Sequence, residues 1–333
     1  MQKLILLLFC VVAVKSDVPE TRIIGGAPAQ KGQFPYLAAV ITTFCSEYDV
    51  LGKCSKNGTI FCGGSIISAC TILTAAHCVN ISQERLEIEV VLGAHNVNNR
   101  LESGQIRIKI GKSDLSEQVK VHQNFTNGQF LYDIAVINLK TAINLNGPLI
   151  KSINLTKLEN SANLFGRDVK AIGWGKNGIS TKSIQDAPYY VDLMAAEEGC
   201  AALFLELTNN LSSPIGNNVQ AQHICVASTA LAAGQGVCDG DYGGPLIMNV
   251  KAKYQVLPIT TLLDYLLATL LSSLYYREVE VLFQPGIGSF GSGNCIGSPS
   301  VFTRTDYFWT WIDANAVCKP TYVTVKNFLE NSA

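Results

Sequence analysis

Short runs in which apolar and polar residues alternate recur along the chain, as in Leu86-Glu87-Ile88-Glu89-Val90-Val91-Leu92 and Arg107-Ile108-Lys109-Ile110, with clusters of Gly, Asn and Ser between them. A period of two puts every second side chain on one face, so these runs predict half-buried antiparallel strands joined by turns. Two stretches break the pattern. From Leu4 to Val14 the chain is nearly all apolar, behind Met1-Gln2-Lys3 and ahead of the small Ser16, which is the layout of a secretory signal over residues 1–16. That run is too short to span a bilayer. In the second stretch, Leu262, Leu266, Leu270 and Leu274, with Leu263, Leu267 and Leu271 beside them, form a helical stripe.

Composition narrows the class. The 333 residues carry a net charge of −1, with 15% charged and 48% hydrophobic residues and 28 glycines, as expected of a compact, loop-rich globular protein. No basic patch calls for a nucleic-acid partner. Export predicts oxidised cysteines, and the ten that follow Cys10 are an even number suited to a disulfide framework. No Cys-x-x-Cys or nearby His cluster suggests a metal site, and no cofactor is expected.

Three motifs carry chemistry: Thr74-Ala75-Ala76-His77-Cys78, then Asp133-Ile134-Ala135-Val136, then Gly240-Asp241-Tyr242-Gly243-Gly244-Pro245-Leu246. Around them stand Arg22-Ile23-Ile24-Gly25-Gly26, Cys62-Gly63-Gly64-Ser65, Gly173-Trp174-Gly175, Ser289-Phe290-Gly291 and Pro299-Ser300-Val301-Phe302-Thr303-Arg304. In this order they resemble the chymotrypsin-like (trypsin-family) serine peptidases over nearly the whole chain beyond the signal. The resemblance implies an all-β protein: two packed antiparallel six-stranded β-barrels with a short C-terminal helix. It also implies a propeptide over 17–22, a protease-homology domain over 23–318 and a tail over 319–333.

By the same resemblance His77 is the general base, Asp133 orients it, and the backbone N–H groups of Gly240 and Tyr242 form the oxyanion hole. Tyr242 stands where the family's nucleophilic serine belongs, so the expected protein lacks catalysis. A tyrosine nucleophile conflicts with the reach and the pKa near ~10 of a phenol. Serine and tyrosine codons can differ by one base, so an error or allele is the other reading, under which the chain is an endopeptidase. Gly236, Ser289, Gly291 and Ser300 surround the implied specificity pocket, which is neutral and chymotrypsin- or elastase-like because Gly236 stands where trypsins carry Asp. Tyr242 could fill it from within. Cleavage after Arg22 by an upstream trypsin-like protease would free the Ile23 amine to pair with Asp241, unless both residues are only inherited.

The family pairs Cys62 with Cys78, Cys200 with Cys225 and Cys238 with Cys295. Cys45 and Cys54 flank a short polar loop and are read as closing it, which leaves Cys70 for Cys318 by elimination. Sequons at Asn57, Asn80, Asn124, Asn154 and Asn210 are candidate N-glycan acceptors.

One segment departs from the family, an insert over about 257–285 that holds the leucine stripe. It reads as an amphipathic helix docking a partner or a lipid surface. A spanning helix is disfavoured by Asp264 and by the need to separate Cys238 from Cys295. A retained intron is the third reading, since Val256 can be encoded from GT and Gln284 as CAG. The insert is expected to disturb the substrate-binding strand it enters. The resulting expectation is a secreted, disulfide-bonded, non-catalytic protease homologue acting on an unknown secreted protein partner. The alternatives are a neutral-specificity endopeptidase and a membrane-surface protein.

Overall fold

The computed structural model describes residues 26–81, 84–126, 128, 131–158, 164–176, 183–196, 221–228, 236–255, 276–291, 295 and 299–325. The signal, Arg22, Ile23, Cys200, Asn210 and the leucine stripe lie outside them.

After β1 (Ala27–Pro28), a first sheet is built from β2 (Leu37–Tyr48), β3 (Cys54–Ser68), β4 (Thr71–Thr74), β5 (Arg85–Leu92), β6 (Ile106–Gly111), β7 (Val119–Val121) and β8 (Ala135–Asn138). A second contains β9 (Asn154–Leu158), β10 (Asp168–Gly173), β11 (Tyr189–Ala196), β12 (His223–Ser228), β13 (Pro245–Gln255), β14 (Tyr276–Gly291), β15 (Ser300–Arg304) and β16 (Tyr322–Val325). The short helices are α1 (Ala76–Val79), α2 (Leu115–Gln118) and α3 (Trp309–Asn315).

The second sheet closes. Its order β13-β10-β11-β12-β15-β14 returns to β13 through antiparallel β13–β14 pairing, giving a six-stranded barrel to which β1, β9 and β16 are added outside. The first sheet runs β6-β5-β2-β3-β4-β8-β7 and curls without closing among the described residues. The all-β chymotrypsin-like architecture is therefore as expected, with a seven-stranded open sheet as the first half. Consecutive strands β6 and β7 lie on opposite edges, and α2, in the connection between them, buries Leu115 in the first core.

Strand alternation carries most of this. In β5, Ile88, Val90 and Leu92 are fully buried on one side. Val91 faces the other way, yet it is buried too, packed with Tyr36 and Trp174 between the halves. Glu89, polar by pattern, is 4% exposed because Arg100 and Arg107 both hold its carboxylate, at 2.8 and 3.0 Å.

Four disulfides are described: Cys45–Cys54, Cys62–Cys78, Cys70–Cys318 and Cys238–Cys295. Cys225 is also disulfide-bonded; Cys200, which the resemblance pairs with it, lies outside the described residues. Such a framework is consistent with an extracellular protein.

Two of the segments read from the sequence are strands. Residues 276–285, read as insert, belong to β14 and pair with β13 from Gln255↔Tyr276 to Met248↔Phe283, with Phe283 and Gln284 fully buried. Within 319–333, residues 322–325 form β16, which pairs parallel to β9 just beyond the Cys70–Cys318 bridge. Among the described residues no helix is long and apolar enough to cross a membrane.

Candidate active site

The site lies where the two halves meet. The turn after β4 carries His77 on α1, the segment before β8 carries Asp133, and the turn before β13 carries Gly240 to Gly244. Glycine is required in that turn. Gly240 and Gly243 have φ of +97° and +79°, and a Cβ on Gly63 would sit 2.6 Å from the Gly244 Cα. This close approach lets the Gly63 N–H donate to the Tyr242 carbonyl at 2.7 Å, which ties the turn to β3.

Asp133 is fully buried and accepts three hydrogen bonds. Its Oδ1 takes the His77 N–H at 2.9 Å, its Oδ2 lies 2.8 Å from His77 Nδ1, and Oδ2 also accepts the Ser289 hydroxyl. A carboxylate can only accept, so Nδ1 carries the proton and Nε2 is left as the basic nitrogen. Burial pushes the imidazole down, but the Asp133 charge and hydrogen bond raise it further, to a balance above the usual histidine value. For Asp133, burial pushes up while His77 and Ser289 pull down, and the carboxyl ends below its usual range. Ser289 was expected at the specificity pocket. It is 2% exposed and its hydroxyl points at Asp133, at the place where the β14–β15 register shifts between Gly288 and Phe290.

Tyr242 lies with its ring edge-to-face against His77, the centroids 5.9 Å apart. Its hydroxyl lies beside Gly291. A Cβ placed on Gly291 would be 3.5 Å from that hydroxyl and 3.4 Å from Ser300 Oγ, so Tyr242, Gly291 and Ser300 converge. Gly236 is buried at the start of the same loop. Burial, then the charges of Asp239 and Asp241, push the phenol up to about 12.

Asp241 turns the other way, into the protein. Its Oδ1 accepts the Gly175 N–H at 2.7 Å and its Oδ2 the Cys238 N–H at 3.0 Å. Glycines at 173 and 175 make room, since a Cβ on either would collide with this carboxylate. Burial, with Asp239 nearby, pushes Asp241 up to about 7.

Neither Gly240 nor Tyr242 has its N–H engaged by a described backbone acceptor. Beside them opens a cavity of about 650 Å3, lined by Ile41, Phe61, His77, Ile184, Asp239 and Tyr242 among others. Lys176 and Asp239 pair at its rim, 2.9 Å apart. Nothing in the sequence marked Ile41, Phe61 or Ile184, which are apolar residues on three separate segments. Cys62, His77 and Cys78 cluster closely enough to hold a metal, but both sulfurs belong to the Cys62–Cys78 bridge and offer no thiolate.

The chain resembles known proteins along most of its length. Residues 23–312 match the Trypsin family model. Brachyurin of Leptuca pugilator is 30% identical over 90% of this chain and 100% of its own. Chymotrypsin-like elastase family member 1 of Bos taurus is 27% identical over 90% of this chain and 92% of its own. Among solved structures, that of HBP superposes with a TM-score of 0.56 over 87% of this chain and 95% of its own, at 22% identity, a likeness of fold. With the family's residues in the family's order and the fold to match, this chain belongs to the trypsin family.

Proposed function

We propose that the chain is a secreted, non-catalytic serine protease homologue that binds a protein partner or a substrate-like ligand in its cleft. One observation carries this reading: the side chain at position 242 is a phenol whose ring lies against His77 and whose hydroxyl lies beside Gly291. A phenol oxygen lies several ångströms farther from the backbone than a serine hydroxyl. The base, its orienting carboxylate and the oxyanion N–H groups act only on a nucleophile delivered between them. Loss of the nucleophile alone costs about 10⁶-fold in kcat. The phenol also converges with Gly291 and Ser300 at the neutral pocket, which takes up room there that a substrate would need. A phenol pushed up to about 12 is not ionised near neutral pH, which disfavours tyrosine as the nucleophile.

The preserved His77–Asp133–Ser289 chain favours a second reading, an endopeptidase of neutral specificity in forms of the protein that carry serine at 242. A fluorophosphonate probe separates the two readings. The mature protein cut after Arg22 is expected to remain unlabelled, and stoichiometric labelling at Tyr242 would overturn the non-catalytic reading.

A further inference from the structure

Three sequons lie wholly among the described residues, and their surroundings differ. Asn154-Leu155-Thr156 opens β9, which is held between β14 on one side and β16 on the other. Thr156 is fully buried, and Asn154 lines a cavity of about 310 Å3 with Tyr36 and Glu280. Asn124-Phe125-Thr126 sits in a turn closed by the Phe125 N–H donating to the His122 carbonyl at 2.9 Å. Asn57-Gly58-Thr59 lies on the outer arm of β3, where Asn57 and Thr59 are exposed.

That arm has an open edge. β3 pairs with β4 only over Ser65–Ser68, and residues 54–62 have, among the described residues, no strand partner but β2. The backbone alternation turns Gly58 under the Phe44 ring, where a Cβ would collide, so Asn57 and Thr59 face the other way. Thr59 and Phe61 on that face line the 650 Å3 cavity beside His77. Beyond Asn57 the hairpin ends in Val50 and Leu51, both almost fully exposed. The tip is braced by the Cys45–Cys54 bridge and by Asp49 Oδ1, which accepts the Leu51 and Lys53 N–H groups at 2.9 and 2.8 Å. A rigid arm with an unpaired edge and an apolar tip invites pairing with another chain unless something covers it.

We propose that Asn57 carries an N-linked glycan that covers the open edge of the β2–β3 arm at the rim of the cavity, while Asn154 carries none. The proposal rests on the secretory reading, since the donor is a lipid-linked pyrophosphate oligosaccharide of the secretory lumen. In the transfer the Asn57 amide nitrogen bonds to the anomeric carbon, the anomeric C–O bond to pyrophosphate breaks, the lipid pyrophosphate leaves and the amide gives up one proton.

The test expresses the full chain behind a heterologous secretory leader in eukaryotic cells, so that export does not depend on residues 1–16. Secreted protein is treated with peptide N-glycosidase in heavy-oxygen water and mapped by mass spectrometry. An oxidised Cys45–Cys54 pair in the same digest marks passage through the lumen independently of any glycan. Most molecules should show labelled Asp at position 57, and Asn154 should stay unlabelled. By sedimentation, deglycosylated protein, Asn57→Gln and Thr59→Val should each self-associate at concentrations where the glycosylated protein is monomeric. Secreted protein with the oxidised pair but with Asn57 unmodified, or Asn154 occupied as fully as Asn57, would overturn the site. Unchanged sedimentation in all three forms would overturn its covering role.

Discussion

The rings of His77 and Tyr242 meet edge to face, with centroids 5.9 Å apart and planes at 76°. The general base of the family thus packs against an aromatic ring, while the only oxygen on that side chain lies beside Gly291.

Tyr242→Ser should bring back catalysis. The substrate-binding end of β14 still pairs with β15 from Gly286↔Arg304 to Gly291↔Ser300, with one register shift between Gly288 and Phe290. Ser289 still reaches Asp133. The activated variant should cleave after neutral apolar residues at least ~10³-fold above the parent, part of the roughly 10⁶-fold a nucleophile provides. Because only the neutral imidazole acts as base, its rate should rise with pH through the His77 pKa, which the Asp133 charge and hydrogen bond hold above the usual histidine value despite burial. A folded, cleaved Tyr242→Ser protein with no turnover would point to a second lesion.

Asp241 should make the uncut precursor lose stability as pH rises. Its carboxyl is raised from 3.8 to about 7, so between those values the folded state holds a proton that the unfolded state has released, and stability falls with pH across that window. Three pH units at about 1.4 kcal/mol each set a ceiling on the order of 4 kcal/mol. Asp241→Asn should flatten the curve. Cleavage after Arg22 should flatten it as well if the Ile23 ammonium pairs with the carboxylate. Melting temperatures of the three forms from pH 4 to 7 check this, and parallel curves would show that the activation pair is a relic.

How much of this could be read from the chain varies with the kind of contact. His77 and Asp133 were legible because each sits in a local motif, and the Cys70–Cys318 pairing followed from the remaining cysteines. The motif of Ser289 fixes its strand but not the hydroxyl's contact with Asp133, which depends on how the strand bends there. The pairing of 276–283 was hidden for a different reason. Arg277-Glu278-Val279-Glu280-Val281 does alternate, but it follows a leucine stripe of helical period that dominates the window. Whether a curled sheet closes depends on edge geometry across many residues and has no local signature, so the open first sheet was not foreseen.

Gly175→Ala should destabilise the oxyanion turn, because the new Cβ would lie within 2.6 Å of Asp241 Oδ1 and displace a carboxylate held by two backbone N–H groups. A loss of about 1–3 kcal/mol is expected, as for overpacking in a core. Chemical denaturation reads it, and an unchanged midpoint would mean that the Asp241 pocket yields more easily than its contacts suggest.

The Cys70–Cys318 bridge joins residues 248 apart and anchors the chain just before β16 adds to β9. Cys70→Ala with Cys318→Ala should lower stability by about 2–5 kcal/mol. Amide exchange should rise first in β16 and β9. If β16 keeps its protection, the strand docks without the bridge.

Peptide turnover measured side by side in the mature protein and its His77→Ala variant bears most directly on the role of Tyr242. With chromogenic peptides bearing apolar, Lys or Arg residues before the scissile bond, both proteins should give the same background rate, because without a nucleophile the base has nothing to activate. Turnover by the mature protein that His77→Ala abolishes would contradict this, and would mean that the Tyr242 site is an enzyme.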